Sequence, residues 1–570
     1  MALARELRRR LAVEIVRKTE GLFELAGIPA ELVKAFSKRS RELDASASAD
    51  DRDQQQRRSR QAKGEPTDIL RRQAWKDEVT ALGYDADIIV QSAVGRRVAE
   101  HPLPDWTMVA EEITAKDSCP RVRDARRKIT EHLVGFNIDK SSLVEIQRQV
   151  ISERFIDLGF DTSREAICTT QAVLRAERRI VDIAPKIAAR SAHALHPSQL
   201  EQALFYADCD HEQVLAFRAA TSGRDLTVIE GAAGTGKSRT IGMVVEAYKA
   251  AGYQTLVTAP SWVATKGLGE AVGSDYSVLP ELLNDLRGNK RWLPPTSVVI
   301  VDEAGMVGAR SMASLLTEVE SFGAKVILIG DRHQLQPVEA GPALSLALER
   351  LPHESYATLS TVRRQRSASD REQTLRWRAA DPDAAFEAIN FARAQGTWRS
   401  VKSEEQAADS AVDLWASFQA ADEEVLILAR THAELRAITD RIRKKLRDSG
   451  QIVGEDAIIL AADRQGNLFD LPIARGDQVR IGKRVRKKGL INGSGGTIQE
   501  ISTTQDGVVE IKLLVDGRIV SVTSEELRDP ESGGLKIRHG YASTTHAAQG
   551  VTVKNTIVVA GTVPTGGAPI

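Results

Sequence analysis

Residues 226–238 read LTVIEGAAGTGKS, and no other stretch restricts the fold and chemistry of this chain so tightly. A short apolar run, Leu226 to Ile229, enters a turn that fits G-x-x-x-x-G-K-[ST], with Gly231, Gly236, Lys237 and Ser238 at the fixed places. The pattern asks for a strand before the turn and a helix after it. Glycines let backbone N–H groups turn inward without a Cβ clash, and the helix points its positive end at an anion. The ligand this implies is a nucleoside triphosphate such as ATP, with Lys237 reaching the β/γ-phosphates and Ser238 ligating Mg²⁺. Gly234 and Arg239 fall within the same cradle. The plainer alternative is a glycine turn before a helix.

The texture downstream fits the demand. Short apolar runs recur at TLVTAPS (255–261), SVVIVDEAG (297–305), KVILIGDRHQ (325–334), VLILART (425–431) and TIVVAGT (556–562), most of them separated by helical stretches. Continuous apolar strands alternating with helices predict a parallel sheet covered on both faces. Ligands then bind beyond the carboxyl ends of the strands, where the polar residues sit. From about Ile473 to Thr523 the pattern changes to glycine-punctuated short strands, with Asp516-Gly517 as a hairpin signal. This piece reads as a small β-barrel inserted in an α/β frame. Residues 1–42 are expected to be helical, with a break at Gly27-Ile28-Pro29. Residues 44–66 are polar and charged without an apolar face and read as a solvated linker, an exposed helix being the alternative. From Ile69 to about Arg190 the pattern is helical and carries no evident chemistry.

Length and charge set bounds. At 570 residues the chain needs several cores. Basic and acidic residues balance at 78 each, so a nucleic-acid partner requires a local groove rather than bulk charge. The basic clusters Arg8–Arg10 and Lys483–Lys488 are as readily solvated faces as phosphate contacts. Cys119, Cys168 and Cys209 show no metal or disulfide spacing, which suits a reducing cytoplasm. No apolar run is long enough for a membrane span, and the first residues lack a signal-peptide core, so membrane insertion is not expected.

Two strand ends add chemistry. Asp302 and Glu303 close the run VVIVDE. After a phosphate loop, Asp302 would hold Mg²⁺ and Glu303 would polarise the attacking water, although a strand-end acidic pair can also be a cap or a surface pair. Gln334 follows the run VILIG, where a neutral amide can sense the γ-phosphate; a polar turn closed by Pro337 is the alternative.

Taken together, the phosphate loop, VDEAGMV and GDRHQLQPVEAG resemble superfamily 1 helicases of the RecD-like branch. The resemblance implies two RecA-like domains with ATP between them and single-stranded DNA as partner. It puts Gln213, in HEQVLAF, where that branch reads adenine. TAPSWVAT (258–265) matches the motif touching single-stranded DNA, with Pro260 and Trp262 as contacts; for Trp262 core packing is the alternative to base stacking. In TVRRQ (361–365) the arginine reaching ATP across the cleft is Arg364, or else Arg363. GYASTTHAAQGVTV (540–553) matches the motif carrying Thr544, His546, Gln549 and Gly550, with Thr544 and His546 toward DNA and Gly550 toward the nucleotide. Many members have lysine where this chain has Ala547. The segment IARGDQVRIGKRV…INGSGGTI is similar to the SH3-like insertion of the branch.

A second resemblance is narrower. GLFELAGIPAELVKAFSKRSREL (21–43) is similar to the last segment of MobF-type conjugative relaxases, and ICTTQAVLRAERRIVDIA (167–184) to the connector before their helicase. The first tyrosine is Tyr84 and the first histidine His101, so the FSKR segment brings no strand-transfer nucleophile with it. No arginine follows Arg538, although the family has a later arginine motif. The resemblance therefore implies an internal stretch of a relaxase–helicase, or a product truncated at both ends, with impaired turnover. The expected layout is a relaxase remnant at 1–43, a linker at 44–66 and a helical connector at 67–200. One RecA-like domain follows at 201–352 and a second at 353–570, with an SH3-like insertion at 471–530. The expected activity is ATP-dependent 5′→3′ translocation on single-stranded DNA, within bacterial conjugative transfer machinery. A weakly active DNA-binding remnant and a RecD-like repair helicase are the rivals.

Overall fold

The computed structural model describes residues 15–17, 23–25, 28–29, 76–77, 79–93, 102–134, 136, 138–205, 209–232, 234–334, 337–365, 367–378, 382–463, 466, 468–548, 551 and 553–560. The chain divides into two units. One comprises Met1–Asp182 with Gly308–Ala313 and Pro337–Leu346, and the other Ile183–Val307, Ser314–Gln336 and Ala347–Ile570.

In the first unit, helix across residues 1–42 is not what the described part shows. Ile15–Arg17 (β1) and Phe23–Leu25 (β2) pair antiparallel, with Val16 opposite Glu24. β-Branched Ile15 and Val16 and aromatic Phe23 suit a pleated pair, and helical periodicity over so short a window is a weak prior. The FSKR segment and the proposed linker lie outside the described residues. Further on, helices Trp106–Ile113 (α1), Val122–His132 (α2) and Lys140–Arg154 (α3) precede an antiparallel hairpin, Ile156–Phe160 (β3) and Ala166–Thr169 (β4). The helical expectation carried one periodicity past Phe155. Gly159, at φ 85°, and the alternation around it turn the chain into a strand instead.

The second unit holds the parallel sheets. Its elements in order are His211–Thr221 (α4), Leu226–Gly231 (β5), Lys237–Ala250 (α5), Gln254–Thr258 (β6) and Trp262–Ala271 (α6). Next come Asp275–Tyr276 (β7), Leu279–Arg287 (α7), Ser297–Val301 (β8), Lys325–Gly330 (β9), Tyr356–Leu359 (β10) and Ala368–Arg378 (α8). The strands run parallel in the order β10-β5-β9-β8-β6-β7. Every residue of β5, β8 and β9 is buried, as expected for a sheet covered on both faces. The strand order interleaves β9 between β5 and β8, so the phosphate turn and the acidic pair end on the same edge of the sheet with one strand between them.

A second parallel sheet follows. Val425–Ala429 (β11) lies between Ala542–Thr544 (β19) and Asn555–Val559 (β20), with His432–Asp448 (α9) packed beside it. Between β11 and β19 runs an antiparallel region: Val453–Ala462 (β12), Leu468–Arg475 (β13), Gln478–Ile481 (β14), Gly495–Thr503 (β15), Val509–Val515 (β16), Arg518–Thr523 (β17) and Ile537–His539 (β18). Five of these strands form one sheet, β17-β16-β15-β14-β18, and β12–β13 form a ribbon that shares its core. The hairpin at Asp516-Gly517 is present, with both residues at positive φ, 48° and 74°. The region is joined to α9 by a buried ion pair: Arg443 donates to both oxygens of Asp477 at 2.9 Å, and Tyr541 donates to Asp477 Oδ1 at 2.7 Å.

One feature of the first sheet sets a pH dependence. Lys325, which opens β9, is fully buried, and its amine is pushed down to about 7 by burial, with Asp225 acting the other way. Below pH 7 both folded and unfolded chains carry this proton, and the burial penalty is felt in full. Between about 7 and the ordinary value of 10.5 the folded chain has shed a proton that the unfolded chain keeps, so this group makes stability rise with pH. Lys325→Met is therefore expected to raise the thermal midpoint more at pH 6.5 than at pH 10. Equal shifts at the two pH values, measured by calorimetry, would show that the buried charge is otherwise compensated.

Candidate functional site

Strand β5 delivers the chain into the phosphate turn, where the backbone leaves no room for side chains. Gly234 (φ 79°) and Gly236 (φ 88°) are in the left-handed region, and Gly236 is the N-cap of α5. A Cβ would lie 2.8 Å from Thr235 Oγ1 at Gly231, 2.7 Å from Arg364 Cβ at Gly234 and 2.6 Å from Gln213 Nε2 at Gly236. Lys237 Nζ donates to the Gly231 carbonyl at 2.8 Å, which folds the amine over the mouth of the turn. Ser238 and Arg239, the next residues of α5, are exposed. This cradle fits a triphosphate: a glycine turn without room for side chains at a helix start, with the Lys237 amine above it.

The acidic pair stands at the end of β8. Asp302 N–H donates to the Thr258 carbonyl of β6 at 2.8 Å, and Asp302 Oδ1 accepts from Glu303 N–H at 2.9 Å. Burial pushes the Asp302 carboxyl up, and the charge of Lys237 opposes this. A divalent cation there would act in the same sense as Lys237, so the buried carboxylate suits a metal ligand. Glu303 has φ 51°, a conformation that costs a residue with a side chain roughly 1–3 kcal/mol and persists where the surroundings impose it. The short turn Ala304–Met306 does so, with Met306 N–H on the Glu303 carbonyl at 2.9 Å.

Strand β9 brings Gln334 to the same edge, its N–H on the Asp331 carbonyl at 3.2 Å. Asp331 is buried and held by Arg378 of α8, with contacts of 3.1 and 3.3 Å. Gly305 abuts the Asp331 carbonyl, where a Cβ would come within 2.7 Å. The Gln334 loop, the acidic turn and α8 are thus mechanically continuous.

The TVRRQ segment lies directly on the phosphate turn. N–H groups of Arg363 and Arg364 donate to the Gly234 carbonyl at 2.7 and 3.0 Å. The Arg363 guanidinium pairs with Asp210, the N-cap of α4, whose Oδ1 also accepts from Gln213 N–H at 3.1 Å. Both arginines are exposed, but Arg363 is engaged at the Gln213 helix, whereas Arg364 Cβ lies against Gly234. Gln365 Oε1 is buried, 3.2 Å from the Cβ position of Gly234, and has no hydrogen-bond partner among the described residues.

The candidate DNA residues are spread over three elements. Pro260 precedes Ser261, which caps α6 by accepting from Ala264 N–H at 3.2 Å. Trp262 is not a core residue. Its ring is half-buried and carries the Arg484 guanidinium 4.0 Å from its centroid. Arg484 Nη1 is held by Glu281 Oε1 of α7 at 2.7 Å, and Arg486 by the same oxygen at 2.9 Å. Two cations of the basic run 483–488 therefore serve this joint, and Lys488 pairs with Glu526 at 2.7 Å. Thr544 ends β19 and accepts from Ala547 N–H at 3.3 Å, starting Thr545–Ala548 (α10). The side chain of His546 is outside the description, as are Gln549 and Gly550.

Sequence reasoning missed Glu230, Asp210, Arg378 and the Glu281–Arg484 pair. Glu230 is buried at the end of β5, accepting from Arg332 Nε at 3.0 Å and Tyr356 Oη at 2.7 Å. Its signal was available: a carboxylate inside an apolar strand needs partners. Asp210 was marked by the capping-box spacing of Asp210 and Gln213, whereas Arg378 and the Glu281–Arg484 pair depend on partners far apart in sequence.

Two protein families match parts of the chain. The AAA domain family matches residues 208–403, and the TrwC relaxase family matches residues 1–82. The conjugal transfer protein TraA of Rhizobium radiobacter is 26% identical over 476 residues, 82% of this chain and 40% of that protein. Residues 1–82 thus match a TrwC relaxase segment and residues 208–403 an AAA domain, in a chain similar to TraA over most of its length. TraA of Agrobacterium fabrum is 29% identical over 475 residues, again 82% of this chain and 40% of the relative. The ATP-dependent RecD2 DNA helicase of Deinococcus radiodurans is 40% identical over 131 residues, 22% of this chain and 18% of that one. The chain thus spans about 40% of the length of its TraA relatives. Among solved structures, the Pif1 helicase of Candida albicans covers 62% of this chain and 89% of its own, at 18% identity and a TM-score of 0.39. The residues matching TrwC contain no tyrosine or histidine. Among the described residues no helix is long and apolar enough to cross a membrane.

Proposed function

We propose that this chain is an ATP-dependent translocase on single-stranded DNA, the motor portion of a conjugative DNA-transfer enzyme. One observation carries the reading. The acidic pair and the TAPSW loop end neighbouring strands and are joined by the Asp302–Thr258 hydrogen bond, so a change at the nucleotide reaches the DNA loop through one strand end. ATP would lie on Gly231–Arg239, with Ser238 and Asp302 holding Mg²⁺ and Gln213 at the base. The metal would offset charge on the phosphates when bound. Glu303 would orient the attacking water, Gln334 would register the γ-phosphate, and Arg364 would offset the charge of the departing phosphoryl group. The region from β12 to β18 is read as the SH3-like insertion of RecD-type motors, supported by its position between β11 and β19 and its own core. DNA would cross Pro260, Trp262, Thr544 and His546, held by phosphate contacts and stacking with little sequence preference.

Polarity is tested with end-labelled oligonucleotides. The chain is expected to displace streptavidin from a 3′-biotinylated single strand with ATP, and not from a 5′-biotinylated one. The reverse preference would overturn the 5′→3′ assignment, and displacement from neither would reduce the chain to a DNA-binding remnant. Trp262 gives a second test. Stacking on one base contributes ~1–3 kcal/mol, so Trp262→Ala should weaken oligo-dT binding by about tenfold. Arg484→Ala, which bares the same ring, should leave binding nearly unchanged. If both variants lose affinity equally, the ring serves the Arg484 joint and not DNA.

A further inference from the structure

Residues 102–170 lie between the two family matches, and neither accounts for them. Their topology is specific. Helix α1 is followed by Arg121, which bridges antiparallel to Ile167 of β4; then come α2, α3, β3, a five-residue turn and β4. Strand β4 is central, with β3 on one side and Arg121 on the other, and Cys168 N–H bonds the Pro120 carbonyl at 3.0 Å. Three helices closed by a two-stranded sheet, which the single bridge at Arg121 extends, follow in this order the topology of a winged helix, in which α2 and α3 form a helix-turn-helix pair and the β3–β4 turn is the wing. The core is complete: Ala110, Ala125, Ile129, Leu133, Val150 and Phe155 pack together.

We infer that this winged helix binds double-stranded DNA, with α3 in the major groove and the wing on the adjacent backbone. The inward positions of α3, Leu143, Ile146 and Val150, join the core. Its outward positions at helical spacing are Ser141, Glu145, Arg148 and Ser152, flanked by Val144 and Gln149, and all are exposed. Arginine, glutamine and serine are side chains that read base edges. Arg148 lies against Glu145 at 2.8 Å, an exposed pair that opens at little cost. Acidic residues slightly outnumber basic ones across 102–170, so bulk charge does not draw this module to DNA. The local arrangement decides instead. Both wing acids are used internally, Asp161 by Arg121 at 2.9 Å and Glu165 by Arg123 at 2.7 Å. These pairs fix the wing and leave Arg164 exposed at its tip, φ 59°, with no ion pair among the described residues. Lys140 and Arg154 are exposed at the two ends of α3. A polar reading helix framed by cations and a rigid wing tipped by arginine suit a duplex.

The test uses the full chain without nucleotide and a blunt 25-base-pair duplex, read by fluorescence anisotropy. The double variant Arg148→Ala, Arg164→Asn keeps a residue type that tolerates the left-handed wing position. It is expected to weaken duplex binding ~10-fold or more, with a shallower salt dependence. Oligo-dT binding and dT-stimulated ATP turnover should stay at parental levels, which separates this inference from the motor assignment. Three results would overturn it: no duplex binding by the parental chain at micromolar concentration, which would leave the face to a protein partner; duplex affinity unchanged in the variant; or equal losses for duplex and oligo-dT.

Discussion

Lys237→Ala is expected to reduce ATP turnover by ~10²–10³-fold or more while the chain stays folded, because preorganised charge at a phosphate site is among the largest catalytic contributions. The structural cost is small. Lys237 Nζ has one described hydrogen bond, to the Gly231 carbonyl, and such a bond contributes about 1 kcal/mol to stability. The functional cost is large, because the amine is the cation folded over the mouth of the turn. It is also the charge that opposes the upward push of burial on Asp302. Removing it should make Asp302 harder to ionise and so weaken Mg²⁺ binding as well. Circular dichroism should show a parental fold and thermal midpoint. Near-normal turnover by a folded variant would remove Gly231–Ser238 as the nucleotide site.

The second large effect is expected at the TVRRQ loop. Arg364→Ala should lower kcat by ~10³-fold with little change in KM for ATP, since an arginine meeting the transferred phosphoryl group acts mainly in the transition state. Arg363→Ala should behave differently. Its guanidinium holds Asp210, which caps the helix bearing Gln213, so its loss should raise KM through the base-binding end and lower kcat less. Steady-state kinetics of the two variants separates the roles. A larger kcat loss for Arg363→Ala would exchange them.

The parallel sheet was legible because β5, β8 and β9 are buried on both faces and so carry uninterrupted apolar runs. The phosphate turn was legible because its glycines answer a steric demand that no other residue meets. The same logic failed where structure depends on partners distant in sequence. The β3–β4 hairpin follows a helix whose apolar spacing runs on past Phe155, and only Gly159 marks the change. Arg378 looks like any charge on a helix until Asp331 is seen buried beneath it. Trp262 was open between core and base stacking, and the structure shows a third state, a ring face covered by Arg484 from the β12–β18 region. The choice between Arg363 and Arg364 was also open, and the partner that engages Arg363, Asp210, is more than 150 residues away.

The central claim is that nucleotide hydrolysis in this chain is coupled to single-stranded DNA. The most direct test is steady-state ATP turnover of the full chain at saturating ATP and Mg²⁺, with and without saturating oligo-dT. The coupling through Asp302 and Thr258 predicts a severalfold higher turnover with oligo-dT, abolished in Lys237→Ala. Equal turnover in the two conditions, with DNA binding confirmed in the same samples, would contradict it.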